Sequence, residues 1–210
     1  MSPSNRQIKR IHRISGTTLS IFIGLHLFNH LYGIFGSTKH IELMNLLRHF
    51  YRNIFVEIIL IMAVCIQIVS GLRLFKAKKK IVTTMFEKLQ IWTGLYLVIF
   101  LVIHLTAVLG GRYYLHLDTN FYFGAAGLNS FPFNLFFIPY YGLAIISVFG
   151  HIASVHNNKM KQNVFWLTPN GQSKTILAFG FYSALIIIYA MTNHFRGVVI
   201  PKEYNILIGK

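Results

Sequence analysis

The stretch RISGTTLSIFIGLHLFNHLYGIFG, residues 13–36, decides the fold class. It is apolar for longer than the roughly 20 residues a helix needs to cross a bilayer core, yet it holds His26 and His30. An imidazole at that depth loses hydration that hydrocarbon cannot replace, so it faces a partner inside a helix bundle. Later apolar stretches offer polar residues for that role: Gln67, His104 and His151.

The rest of the chain shares this character. Of its 210 residues, 54% are hydrophobic and 12% charged, where a water-soluble domain carries about 25% charged residues. Five windows reach spanning length, at about residues 14–36, 54–75, 89–110, 133–156 and 175–195. The sequence therefore predicts an all-α polytopic membrane protein: a single transmembrane domain over residues 1–210, built as a bundle of five helices. The first apolar run is too long for a cleavable signal peptide, and no small-residue cleavage site follows it.

The net charge of +15 is distributed unevenly. Arg6, Lys9, Arg10 and Arg13 precede the first span, Lys76, Lys78, Lys79, Lys80 and Lys88 fill the second connection, and Lys159, Lys161 and Lys174 the fourth. The other connections hold fewer bases. By the positive-inside rule this alternation predicts a cytoplasmic N-terminus and an outside C-terminus, in a bacterial cytoplasmic membrane. Short basic loops between apolar runs suit anionic lipid headgroups rather than nucleic acid. Cys65 is the sole cysteine and lies in a span, so intrachain disulfides, iron–sulfur clusters and cysteine-based zinc sites are excluded.

Residues 37–53 space Leu43, Leu46 and Leu47 as a short surface helix would. Residues 112–133, RYYLHLDTNFYFGAAGLNSFPF, are too long for a simple turn and predict a cap over the outer side. His116 and Asp118 within it are spaced too closely to support a metal site. WLTPNGQSK, residues 166–174, reads as the turn before the last span.

Depth sorts the polar residues. A helix rises about 1.5 Å per residue, which puts His26 about 20 Å and His104 about 24 Å from the cytoplasmic boundary, and Gln67 and His151 only about 9–12 Å from it. His26 and His104 thus share an outer layer, Gln67 and His151 an inner one. Two imidazoles at matching depth on facing helices are what the iron of a b-type haem needs. Each would be neutral, with its second N–H donated to a carbonyl or side chain. The alternative is that the histidines only hydrogen-bond between helices. His30, one turn beyond His26, either competes as a ligand or contacts water, a haem propionate or a quinone.

These residues resemble a known family. RIHRISG, IGLHL with His26, VEIILIMAVCIQIVSGLRLF, LQIWTGLYLVIFLVIH ending at His104, VFGHIASVH with His151 and the TPNGQSK turn occur in the order seen in the five-helix cytochrome b membrane anchor of succinate dehydrogenase and fumarate reductase. The resemblance covers nearly the whole chain. It implies one haem b at His26 and His104, a quinone as substrate, and flavoprotein and iron–sulfur subunits docked on the cytoplasmic face. Arg13 and Ser15 match the family's HRxSG segment near quinone, and Glu57 at the outer end of the second span is a candidate proton acceptor for an outer quinol. The chain has no nucleotide-binding motif, so dicarboxylate chemistry would belong to its partners. It departs from the pattern at Gln67, where two-haem members have a histidine. That leaves an inner site that is empty, five-coordinate on His151 or completed by another residue. A differently partnered haem protein and a haem-free assembly subunit are the competing expectations.

Overall fold

The computed structural model describes residues 3–210. Its helices are α1 (Pro3–Tyr32), α2 (Ser37–Tyr51), α3 (Ile54–Lys78), α4 (Met85–Tyr113), α5 (Phe121–Leu128), α6 (Asn134–Lys159) and α7 (Pro169–Met191), with short 3-10 turns at Gly33–Phe35 and Lys202–Ile208. Five of these helices, α1, α3, α4, α6 and α7, are long and apolar enough to cross a membrane. The protein is an all-α polytopic membrane protein.

Consecutive spanning helices run antiparallel. Leu19 of α1 packs on Ala63 and Val64 of α3, Glu57 near the start of α3 meets Arg112 at the end of α4, and Gln90 near the start of α4 meets Asn158 at the end of α6. Large apolar side chains such as Ile21, Phe55, Ile99, Leu135 and Leu185 point away from the bundle, where lipid rather than water would receive them. Between helices the close contacts use small residues, as expected where the solvent is as apolar as the core. A Cβ at Gly180 of α7 would stand 2.3 Å from Phe149 Cβ of α6. Gly180→Val therefore forces the two helices apart, and should destabilise the fold by about 1–3 kcal/mol, read as a lower melting temperature in detergent.

Two helix starts differ from the sequence reading. The basic segment before the first apolar run is itself helical and forms the first part of α1, which runs unbroken from Pro3. Nothing interrupts it: Thr17, Thr18 and Ser20 return their hydroxyls to the carbonyls of Arg13, Ile14 and Gly16, so these polar side chains are satisfied without leaving the helix. At the other end of the chain, TPNGQSK is the opening of α7 rather than a turn before it. Thr168 caps the helix by accepting from Gly171 N, and Pro169 occupies the first turn, where its missing N–H has no cost.

The expected cap is present. Phe121, Ala125 and Leu128 of α5 are buried against Ile145, Ala184, Ile187 and Met191, while Ala126 packs on Tyr204 and Ile208 of the C-terminal 3-10 turn. Asn129 ties these parts together. Its amide donates to the carbonyls of Ala125 and Met191 and its oxygen accepts from Val198 N. The surface helix α2 joins the cap through Arg48, whose Nη1 lies 2.8 Å from Asp118 Oδ1.

Candidate functional site

The walls of α1, α3, α4 and α6 border a cavity of about 1340 Å³, to which α2, α5 and α7 each add a few residues. Ordinary ligand pockets run to about 300–1,000 Å³, so this one has room for more than one such group. The cavity runs nearly the length of the bundle. Arg6, Arg10, Arg13, Lys78 and Lys159 line one end, and Arg48, Arg52 and Arg112 the other. The middle is mostly apolar, with imidazoles, Gln67, Asn29, Thr17, Ser20 and the tyrosines Tyr140 and Tyr141 as its polar side chains.

The imidazoles come together as two pairs at two levels. Toward the Arg112 end, the His26 and His104 ring centroids lie 6.2 Å apart with planes at 65°. Phe22 stacks on His26 at 5.6 Å and Phe100 on His104 at 5.0 Å, each from one turn earlier on the same helix. These flat contacts restrict the rotation of both rings. Toward the Lys78 end, the partner of His151 is His12, with centroids 6.4 Å apart and planes at 69°.

Gln67 takes a different part from the one its layer suggested. Its Nε2 donates to the His12 carbonyl at 2.6 Å and to Ser15 Oγ at 3.2 Å, so the amide pins α3 to α1. Ser15 is buried in this contact and also donates to Ile11 O at 3.0 Å. Arg13, three residues in sequence from Gly16, reaches the cavity mouth.

His30 extends the His26–His104 pair into a polar chain. Its Nε2 is 3.3 Å from His26 Nε2 and its Nδ1 is 3.2 Å from His40 Nε2. Asn29 Nδ2 approaches the same His40 nitrogen at 3.1 Å. His40, on α2, was not singled out in the sequence; its place in a connection hid the fact that it is 1% exposed. Burial lowers its pKa to about 4, aided by His26 and Arg48. His40 is therefore neutral at physiological pH.

Glu57 also lines the cavity, where it is bonded to Arg112. Both side chains are about one-fifth exposed, at 18% and 19%. Removing one partner strands the other charge in a poorly hydrated place. Arg112→Ala should therefore lower the melting temperature more than the double variant Glu57→Gln/Arg112→Ala, which leaves no uncompensated charge. Equal loss in the two would contradict a stabilising role for the pair.

Among the described residues no three histidine, cysteine, aspartate or glutamate side chains converge as a bare metal ion would require. The arrangement is paired imidazoles beside an apolar slot, which suits a flat metal-bearing ligand. The chain matches no family model, no curated protein and no solved structure.

Proposed function

We propose that this chain is a membrane-anchor cytochrome b of the type found in succinate dehydrogenase and fumarate reductase, passing electrons between a cytoplasmic flavin/iron–sulfur dehydrogenase and membrane quinone. The observation that carries this reading is the His26–His104 pair. A metal–imidazole nitrogen bond is about 2 Å, so two rings on opposite sides of one metal have centroids about 6 Å apart, close to the 6.2 Å separation here. The donor set, the apolar walls and the volume of about 1340 Å³ all fit a haem.

A b-type haem held there supplies one-electron transfer. His26 of α1 and His104 of α4 would hold it, and His30 Nε2, 3.3 Å from His26 Nε2, borders that site. His30 keeps its bond to His40, and so holds the edge of the site. Phe22 and Phe100 keep the two rings from turning. Arg48, Arg52 and Arg112 offer cations at that end of the cavity, where carboxylate groups form charge-assisted bonds.

The arginines and lysines of the opposite mouth place positive charge where a soluble partner would dock, with the N-terminus cytoplasmic. Arg13 there and Glu57 at the other end are the positions for quinone contacts; a quinol reaching Glu57 has to compete with Arg112. Ser15 supports Gln67 and α1 rather than facing the cavity.

Isolation from the native membrane tests the whole reading. The tagged chain should carry b-type haem, co-purify with a flavoprotein and an iron–sulfur protein, and have its haem reduced by added quinol. Recovery of a haem-loaded chain with no such partners would favour a stand-alone membrane cytochrome b.

A further inference from the structure

The second imidazole pair carries an assignment that neither the sequence motifs nor the His26–His104 site supplies. We infer that His12 and His151 are the axial ligands of a second haem, so that the inner site lost at Gln67 is rebuilt by a histidine from α1. The inference rests on the proposal that this cavity holds b-type haem.

Ring separation is the first argument. The His12 and His151 centroids are 6.4 Å apart, within a few tenths of an ångström of the outer pair at 6.2 Å, and again near the distance of about 6 Å set by two metal–nitrogen bonds of about 2 Å. Both rings line the same cavity.

Hydrogen bonding is the second, and it fixes which nitrogen is free. His151 Nδ1 lies 3.0 Å from the Gln90 carbonyl. A carbonyl only accepts, so Nδ1 must carry the proton. His12 Nδ1 lies 2.8 Å from Ser70 Oγ. The Ser70 hydroxyl donates to Ile66 O, so its oxygen accepts from His12, and Nδ1 again carries the proton. In neutral rings both Nε2 atoms are then left with lone pairs. Metal-binding imidazoles are held this way: one nitrogen donates to an oxygen of the protein and the other binds. Neither Nε2 is spent on a protein partner in the described contacts, whereas at the outer site His26 Nε2 is shared with His30.

Close seating of the rings against the helix backbones is the third. Glycines flank both: a Cβ at Gly71 would lie 3.6 Å from His12 Cε1, and one at Gly94 would lie 3.3 Å from His151 Cε1. Both positions face the cavity.

Gln67 fits as a positioning residue. Its bond to the His12 carbonyl at 2.6 Å holds the turn of α1 that presents the ring. The residue standing where relatives of this type have a ligand therefore braces the replacement.

The test is haem stoichiometry on the full chain purified after haem-sufficient expression, together with a redox titration and low-temperature electron paramagnetic resonance. Wild type should hold two haems per chain and titrate in two steps. His12→Gly and His151→Gly should each lose one haem and one low-spin signal while keeping the other, and added imidazole should restore the low-spin signal in His12→Gly. Gln67→Leu should shift the midpoint of the same step. A His12→Gly protein with unchanged haem content and two unchanged low-spin signals overturns the assignment. So does a wild type with one haem that survives His12→Gly but not His104→Ala, although that result leaves the outer site standing. Absence of haem from wild type overturns the reading on which the inference rests.

Discussion

His104→Ala should lower the haem content from two per chain to one. The lost haem is the outer one, because alanine leaves a single imidazole, His26, where two nitrogens are needed. His26→Ala should have the same effect. The double variant should lose no more than either single one, since the two residues act as a unit and their effects are not additive. His30 tests the specificity of the result. It lies 3.3 Å from His26 but is tied to His40, so His30→Ala should keep both haems and shift only the outer midpoint. The measurement is a pyridine haemochrome assay normalised to protein mass. Folding is followed separately by the detergent elution profile. The haem-free site should also leave the protein less heat-stable, because a ligand bound only by the folded state stabilises it by mass action.

Gly94→Leu should abolish the inner site and spare the outer. Even a single Cβ at position 94 stands 3.3 Å from His151 Cε1 and 3.4 Å from its Nδ1. The remaining atoms of leucine have nowhere to go but into the cavity or against the ring. Against the ring they break the His151 bond to Gln90 O and separate the ring from His12; in the cavity they fill the space beside it. Gly94→Ala is the control. It asks the ring to move by only a few tenths of an ångström, and alanine is better than glycine in a helix by about 1 kcal/mol. The alanine variant should therefore keep two haems and full stability, with a shifted inner midpoint, while leucine leaves one haem. Loss of both haems in Gly94→Leu would point to a damaged bundle instead of a filled site.

Much of this architecture is legible in the sequence because membrane insertion demands it. A helix must satisfy its own backbone in lipid, so an apolar run of the right length fixes element type almost by itself. The five spans, the surface helix and the cap follow from that demand and from the length of residues 112–133. Depth counting also grouped His26 with His104, since both sit well inside their spans.

His12 was not legible by the same route. It precedes Arg13, and a basic flank such as RQIKRIHR looks like a surface anchor when the span is counted from its first apolar residue. The helix instead starts at Pro3, which carries His12 past the mouth of the cavity to Ser70 and Gly71 of α3. Charged side chains at helix ends reach toward the interface along their own stems, so Arg6, Arg10 and Arg13 need not bring the helix axis out with them. Gln67 misled for the opposite reason. Depth does not say what a side chain bonds to, and Gln67, although it lines the cavity, spends its amide on the His12 carbonyl. His40 was hidden by residence in a connection, although the fold of α2 under the cap buries it.

The central claim is that paired histidines in this bundle hold haem. A reduced-minus-oxidised spectrum of the purified wild-type chain, with haem counted per polypeptide, tests it most directly. The account predicts a low-spin b-type spectrum and two haems per chain; a folded, five-helix protein with no b-type absorbance after haem-sufficient expression would contradict it.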